Sequence, residues 1–301
     1  MFFHGNIVIF ATCLGIILVI FSIKTKLLTI MKQLFNWMLA AILICGASVF
    51  TSCSSNEDKP VVPGEPDLKL AEKLVGKWLY WGYDEQIAET EESSVTTFVM
   101  EGSTLKAYIT QSLKKYDLWV HNQPAEVKID GNKVTVTMQS GNTTTVEEMT
   151  DIDINDYEFS YTSKFTVYKN GEVFDDMTYR LHCTKVNDDY SKIILGRWEG
   201  TVTSDEPGFE PQPFCEEYFS NGTNVEYEFI DGQWVEVETE YAEYFIDGNL
   251  LCTRWKYPGK EEERENSIIM SYVDGILTVK EVVVSGEHLY TKTNTLKKII
   301  Q

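Results

Sequence analysis

A chain of 301 residues with 26 basic and 46 acidic side chains, a formal charge of −20, is excluded as a nucleic-acid binder by bulk electrostatics, and the same charge disfavours adsorption onto anionic lipid headgroups. The first 52 residues carry three lysines and no acid, which leaves 23 basic against 46 acidic side chains from Cys53 onward, a charge of −23. That excess favours solubility and says little about fold or ligand.

Two apolar runs open the chain, 6–23 and 34–50. From Met31 the text MKQLFNWMLAAILICGASVFTSC has a short basic start at Lys32, an apolar stretch, and small polar residues before a cysteine. This is the layout of a secretory signal peptide, and residues 31–52 are read as one. The closing FTSC resembles the bacterial lipoprotein signal, although Phe50 stands where that family usually has Leu. The resemblance implies cleavage after Ser52 and diacylation of Cys53, and two acyl chains hold a protein stably on a bilayer where one does not. Residues 1–30 are then surplus and are read as an extension upstream of a true start at Met31. The competing reading is a transmembrane helix that turns back through Lys24, Lys26 and Lys32 on the cytoplasmic side.

Residues 53–66, CSSNEDKPVVPGEP, are rich in proline and charge and read as a flexible tether. The acidic pair Glu57–Asp58 resembles the signal that sends Bacteroidetes lipoproteins to the outer face of the outer membrane. The expected location is the outer membrane, with the periplasmic and cell-surface sides both open.

The remainder contains an internal repeat. KLVGKWLY (73–80) matches IILGRWEG (193–200), and AEVKIDGN (125–132) matches AEYFIDGN (242–249). The two offsets, 120 and 117 residues, are collinear and define a tandem duplication with domains at 67–187 and 188–301. Helical periodicity is confined to DLKLAEKLV (67–75), with Leu68, Ala71, Leu74 and Val75 on one face, and to YSKIILG (190–196). Elsewhere alternating runs are broken by Asp-Gly and Asn-Gly pairs, as in VKIDGNKVTVTM (127–138), YKNGEVF (168–174), YFSNGTNVEY (218–227), EYEFIDGQWVEV (226–237) and SYVDGILTV (271–279). Such pairs supply the positive φ that tight hairpins need, and they predict about eight short strands per copy. Cys183, Cys215 and Cys252 lie in this part; a Cys215–Cys252 disulfide and three buried thiols are both open readings.

The Gly-x-Trp motifs Gly76-Lys77-Trp78 and Gly196-Arg197-Trp198, each at the head of a first strand behind a short helical turn, are similar to those of the lipocalin-like domains common in Bacteroidetes lipoproteins. The resemblance implies an all-β fold of two tandem antiparallel up-and-down barrels, each able to hold one small apolar ligand or to be filled by side chains. It also implies that Trp78 and Trp198 close one end of each barrel against a basic residue from the last strand. Arg180 is the expected partner in the first copy, and Lys292 or Lys297 in the second.

Alternation in KWLYWGY (77–83) puts Trp78 and Tyr80 on one face and Leu79, Trp81 and Tyr83 on the other. The outer row packs on the other domain or under a loop, or else forms a stacking platform for a sugar or peptide anchored by Trp81 and Tyr83. Tyr80, Trp119, Trp234, Tyr244 and Trp255 are the candidate inward aromatics of a ligand pocket. DIDINDYEF (151–159) spaces Asp151, Asp153 and Asn155 like calcium ligands, but Asp156 replaces the required glycine and Thr162 the closing glutamate, so it reads as a strand. His4, His121, His182 and His288 are scattered, and no metal site, cofactor motif or nucleophile–base pair is recognisable. The expectation is a non-enzymatic, lipid-anchored envelope protein binding a small apolar ligand or glycan. The alternative is a structural or protein-interaction lipoprotein with filled barrels. The oligomeric state stays open.

Overall fold

The computed structural model describes residues 68–81, 93–285 and 288–299, all within one compact unit. Helix α1 (Leu68–Leu74) precedes β1 (Gly76–Trp81), β2 (Ser93–Glu101), β3 (Thr104–Leu113), β4 (Leu118–Asp130), β5 (Lys133–Ser140), β6 (Thr143–Ile154), β7 (Glu158–Lys169) and β8 (Glu172–Lys185). These eight strands pair antiparallel in chain order, and β1 also pairs with β8, so the first sheet is a closed barrel. The second sheet comprises β9 (Gly196–Ser204), β10 (Gln212–Tyr218), β11 (Asn224–Ile230), β12 (Gln233–Glu236), β13 (Tyr241–Asp247), β14 (Leu250–Lys256), β15 (Glu262–Val273), β16 (Ile276–Ser285) and β17 (His288–Ile299).

The hairpin signals are realised as tight turns. Asn170, Asp231 and Asp274, each followed by glycine, take φ of 54°, 50° and 52° and join β7 to β8, β11 to β12 and β15 to β16. Short polar side chains tolerate this left-handed region, and its twist matches that of the flanking strands.

The second unit differs from the first in closure. It has nine strands in the order β12-β11-β10-β9-β17-β16-β15-β14-β13, with β12 and β13 at the edges. The short β12 folds back on β11 and occupies the edge that β13 would otherwise take. A single bridge, Thr223–Glu243, and the Tyr244 amide donating to the Gly222 carbonyl at 2.9 Å hold one end of this seam together. The result is a half-barrel open along β11–β13.

Both units are capped alike. Trp78 and Trp198 are 1 % and 0 % exposed, and their indole N–H groups donate to the Leu74 and Ile194 carbonyls at 2.8 and 2.6 Å. Those carbonyls end α1 and the single helical turn at 190–194, so each tryptophan satisfies an orphan acceptor of the turn that plugs its barrel. Gly76 and Gly196, at φ of 140° and 100°, pass so close to Lys185 and Lys298 that a Cβ would sit 3.0 and 3.2 Å from the lysine Cε atoms. In α1 the buried stripe is Leu70, Ala71 and Leu74; Val75 lies beyond the last helical residue and is exposed.

The two units share a third core. The outer face of β1–β4 packs on the outer face of β13–β15, with Leu79, Val95, Phe245, Leu250, Cys252 and Ile268 buried between them. Lys77 pairs with Asp247, which also accepts the Thr110 hydroxyl at 2.6 Å. Arg264 donates to the Leu118 carbonyl at 2.6 Å, and Asn266 to the Ser112 carbonyl at 3.0 Å. At Gly248, with φ of 64°, a Cβ would lie 2.4 Å from Val186 Cγ1, so the turn approaches the linker as only glycine can.

Candidate functional site

Each unit keeps a cavity inside its sheet. In the first barrel about 60 Å³ of water-accessible space lies above Trp78, bordered by Tyr80, Phe159 and Leu181. Alternation on β6 and β7 turns Glu147, Tyr161 and Ser163 toward it. Glu147 accepts both hydroxyls, from Tyr161 at 2.9 Å and Ser163 at 2.8 Å. Burial raises the Glu147 pKa, and the two hydroxyl hydrogen bonds work against that rise. Burial also pushes the Cys183 thiol far up, so it stays a protonated, unreactive group.

The cavity of the second unit holds about 80 Å³ and is more polar. Glu216 on β10 accepts the Tyr218 hydroxyl at 2.5 Å and the Asn224 amide at 2.5 Å. Burial first, then the neighbouring Glu265 and Glu226 charges, push the Glu216 carboxyl up to about 8 against those two hydrogen bonds. Glu265 on β15 accepts the Ser267 hydroxyl at 2.7 Å. Glu226 is exposed at the open seam, where it accepts the Tyr257 hydroxyl at 2.8 Å. Asn294 on β17 is 9 % exposed and its side-chain oxygen has no donor, as is true of the Asn224 Oδ1. No lysine, arginine or histidine lines either cavity.

The repeat explains the inward carboxylates. Glu147 lies opposite Val136, and Glu265 lies opposite Thr253. The 117-residue offset carries Val136 onto Thr253, so Glu147 and Glu265 occupy the same place in the two copies. Sequence pattern alone hides them, because acids alternating with other residues, as in TVEEM (145–149) and ERENS (263–267), look like a solvated face.

The residues singled out in the sequence are dispersed. Tyr80 lines the first cavity and Trp255 the second. Trp81 and Trp119 pack against the core shared by the two units, where Trp119 meets Phe245 at 4.3 Å and the Arg254 guanidinium at 4.7 Å. The outer row of β1 is therefore a contact between the units rather than an open platform. Trp234 sits on edge strand β12, edge-to-face with Phe229 at 5.0 Å. Tyr244 is a core residue whose hydroxyl donates to the Phe219 carbonyl at 2.8 Å. Cys53 and Tyr83 lie outside the described residues.

Arg180 is not the closing cation. It is exposed and donates to the Asp151 carbonyl at 2.7 Å, because it alternates with the inward Leu181 and Cys183. The inward position at the end of β8 belongs to Lys185, whose ammonium lies 5.3 Å from the Trp78 ring. In the second unit Lys298 stands 5.4 Å from Trp198, while Lys292 pairs with Glu281 and Lys297 faces outward. Cation and indole face each other in both caps. Asp151 and Asp153 fall on β6, and Asn155 caps the following turn by accepting the Tyr157 and Glu158 amides. All three cysteines of this part are free and buried, so Cys215 and Cys252 are not joined.

Outside the barrels, Ser160 Oγ lies 2.8 Å from His182 Nδ1, with Glu158 3.9 Å from the other ring nitrogen. These are exposed cross-strand neighbours on a sheet whose amides are committed to the ladder, so no oxyanion site faces the serine. Among the described residues no three His, Cys, Asp or Glu side chains are placed to hold a metal ion.

No family model matches the chain, and no curated protein matches it. Among solved structures it is similar to a Nostoc punctiforme protein of unknown function from the DUF3598 family, at 10% identity and a TM-score of 0.21, over 78% of this chain and 100% of that one. At that score the likeness bears on neither ligand nor activity.

Proposed function

We propose that the chain is a non-catalytic binding protein, anchored on the outer membrane through acyl chains on Cys53, that holds a small molecule inside its sheets. The observation that supports this reading is the duplicated inward carboxylate, Glu147 and Glu265, each beside a cavity that no cationic side chain lines. An acidic side chain turned toward a sheet interior is costly to desolvate, and packing alone gives no reason to keep one in both copies. Cavities of 60 and 80 Å³ have room for a few heavy atoms rather than an acyl chain, which narrows the expected apolar ligand to a small polar one.

Native mass spectrometry of the full-length gene product extracted from its own membrane tests both halves. The expected species has lost residues 1–52, carries a diacylglyceryl group on Cys53, and releases a small bound molecule on mild activation. Cys53→Ser should abolish the lipid mass and leave the small adduct intact. A protein without acyl mass refutes the anchor, and one with no adduct in any preparation refutes the carrier role.

A further inference from the structure

We propose that the second unit binds a small primary ammonium ion in the cavity bounded by β10, β11, β14, β15 and β17, with Glu216, Glu265 and Asn294 as its acceptors. The inference rests on the reading of the sheet interiors as binding sites and names the ligand class for one of them.

The cavity lining is rich in acceptors, with the Trp255 indole N–H as a buried donor among them. Glu216, Glu265 and Glu226 converge on it from three strands, together with Asn224 and Asn294. Tyr218 and Asn224 donate to Glu216, Ser267 donates to Glu265, and Tyr257 donates to Glu226. Asn294 is 91 % buried and lines the cavity, and its Oδ1 has no hydrogen-bond partner, which native interiors rarely tolerate. The first barrel provides the contrast: there two hydroxyls converge on Glu147, and no unpartnered amide lines the cavity. A primary ammonium brings three N–H donors and one positive charge, which answers both deficits at once.

The cavity is also accessible. The seam between β11 and β13 leaves Glu226 exposed at its edge, and Trp255 supplies an aromatic wall behind it. The segment that forms this edge, 224–243, contains seven acidic residues and no Lys or Arg. Arg254 and Lys256 of β14 pair with Glu243 and Glu240, and the remaining acids of this stretch attract cations toward the opening. An organic cation fits better than a metal ion, since among the described residues no three acidic, His or Cys side chains are arranged to ligate one.

Binding should be coupled to a proton. Burial holds Glu216 at about 8, so near neutrality it is largely protonated. The groups around it are Tyr218 on its own strand, Glu226 on β11, Glu265 on β15, and Tyr244 on β13 beyond the Tyr218 ring; none is cationic. A bound ammonium favours the carboxylate and expels its proton.

The test is calorimetric titration of the full chain in neutral detergent with butylammonium chloride, 1-butanol and tetramethylammonium chloride. Butylammonium should bind at one site, about tenfold or more tighter than butanol, because charged hydrogen bonds are about twice as strong as neutral ones. Its affinity should rise between pH 6.5 and 8.5 by roughly tenfold per unit below the carboxyl pKa. Asn294→Leu and Glu265→Gln should each weaken it about tenfold, and Glu216→Gln should remove the pH dependence. If Asn294→Leu fails to fold, the pH profile of Glu216→Gln decides the same question. Butanol or tetramethylammonium binding as tightly as butylammonium overturns the ammonium assignment, as does an unchanged affinity in Asn294→Leu. If butanol binds and Thr253→Trp, which fills the cavity, abolishes it, the carrier reading stands and only the ligand class falls. If no probe binds and the native protein carries no adduct, both fall.

Discussion

Trp198→Ala should destabilise the fold by about 3–5 kcal/mol, the range for removing a fully buried aromatic side chain. Three losses coincide there. The indole is 0 % exposed, so its deletion leaves a cavity at the closed end of the second unit. The Ile194 carbonyl loses its 2.6 Å donor, and the Lys298 ammonium loses the ring 5.4 Å away. Trp198→Phe keeps a ring but not the donor and should cost about 1–3 kcal/mol, the penalty of a buried acceptor left without a partner. Urea denaturation of both variants measures the difference. A loss below about 1 kcal/mol for the alanine variant would show that the cap contributes little.

The second large effect concerns the core between the units. Leu250 is 0 % exposed and packs with Leu79, Val95 and Phe245. Leu250→Asp places a carboxyl inside this apolar cluster, and should cost more than the roughly 2–5 kcal/mol typical of Leu→Ala at a buried site. Because the cluster belongs to both sheets, the damage should also separate their unfolding. The wild-type chain is expected to melt in one transition and Leu250→Asp in two, followed by calorimetry. Two transitions already present in the wild type would contradict a shared core.

Much of the fold is legible in the residues. Asn170, Asp231 and Asp274 mark hairpins because few side chains tolerate the φ those turns require. The duplicated Gly-x-Trp marks two caps because glycine lets the strand approach the lysine stem and tryptophan reaches back to the helical turn. The closing lysines are hidden because facing depends on strand register: counting from the buried Cys183 selects Lys185, whereas Arg180 has the opposite parity. Trp81 and Trp119 mislead for a related reason. Strands covered on both faces lose their alternation, so an aromatic residue between the units looks like one inside a barrel. The open seam is equally illegible, since the four residues Gln233–Glu236 read as one more barrel strand although they turn the sheet edge away from β13.

The interior acids are where sequence patterning and structure diverge most, and the functional reading depends on them. Among them Glu216 is the most deeply withdrawn from water, and burial raises its pKa to about 8. A carboxyl whose pKa is raised by folding stays protonated in the folded chain at a pH where the unfolded chain has already lost the proton. Its contribution to stability is therefore fully present below the unfolded value and is lost as the pH rises toward the folded one. The direct measurement is the free energy of unfolding from pH 4 to pH 9 for the wild type and for Glu216→Gln. The wild-type value should fall relative to the variant between about 4.5 and about 8 and run parallel to it above. Parallel profiles across the whole range would show that Glu216 is ionised and solvated at neutral pH, which would contradict the central claim.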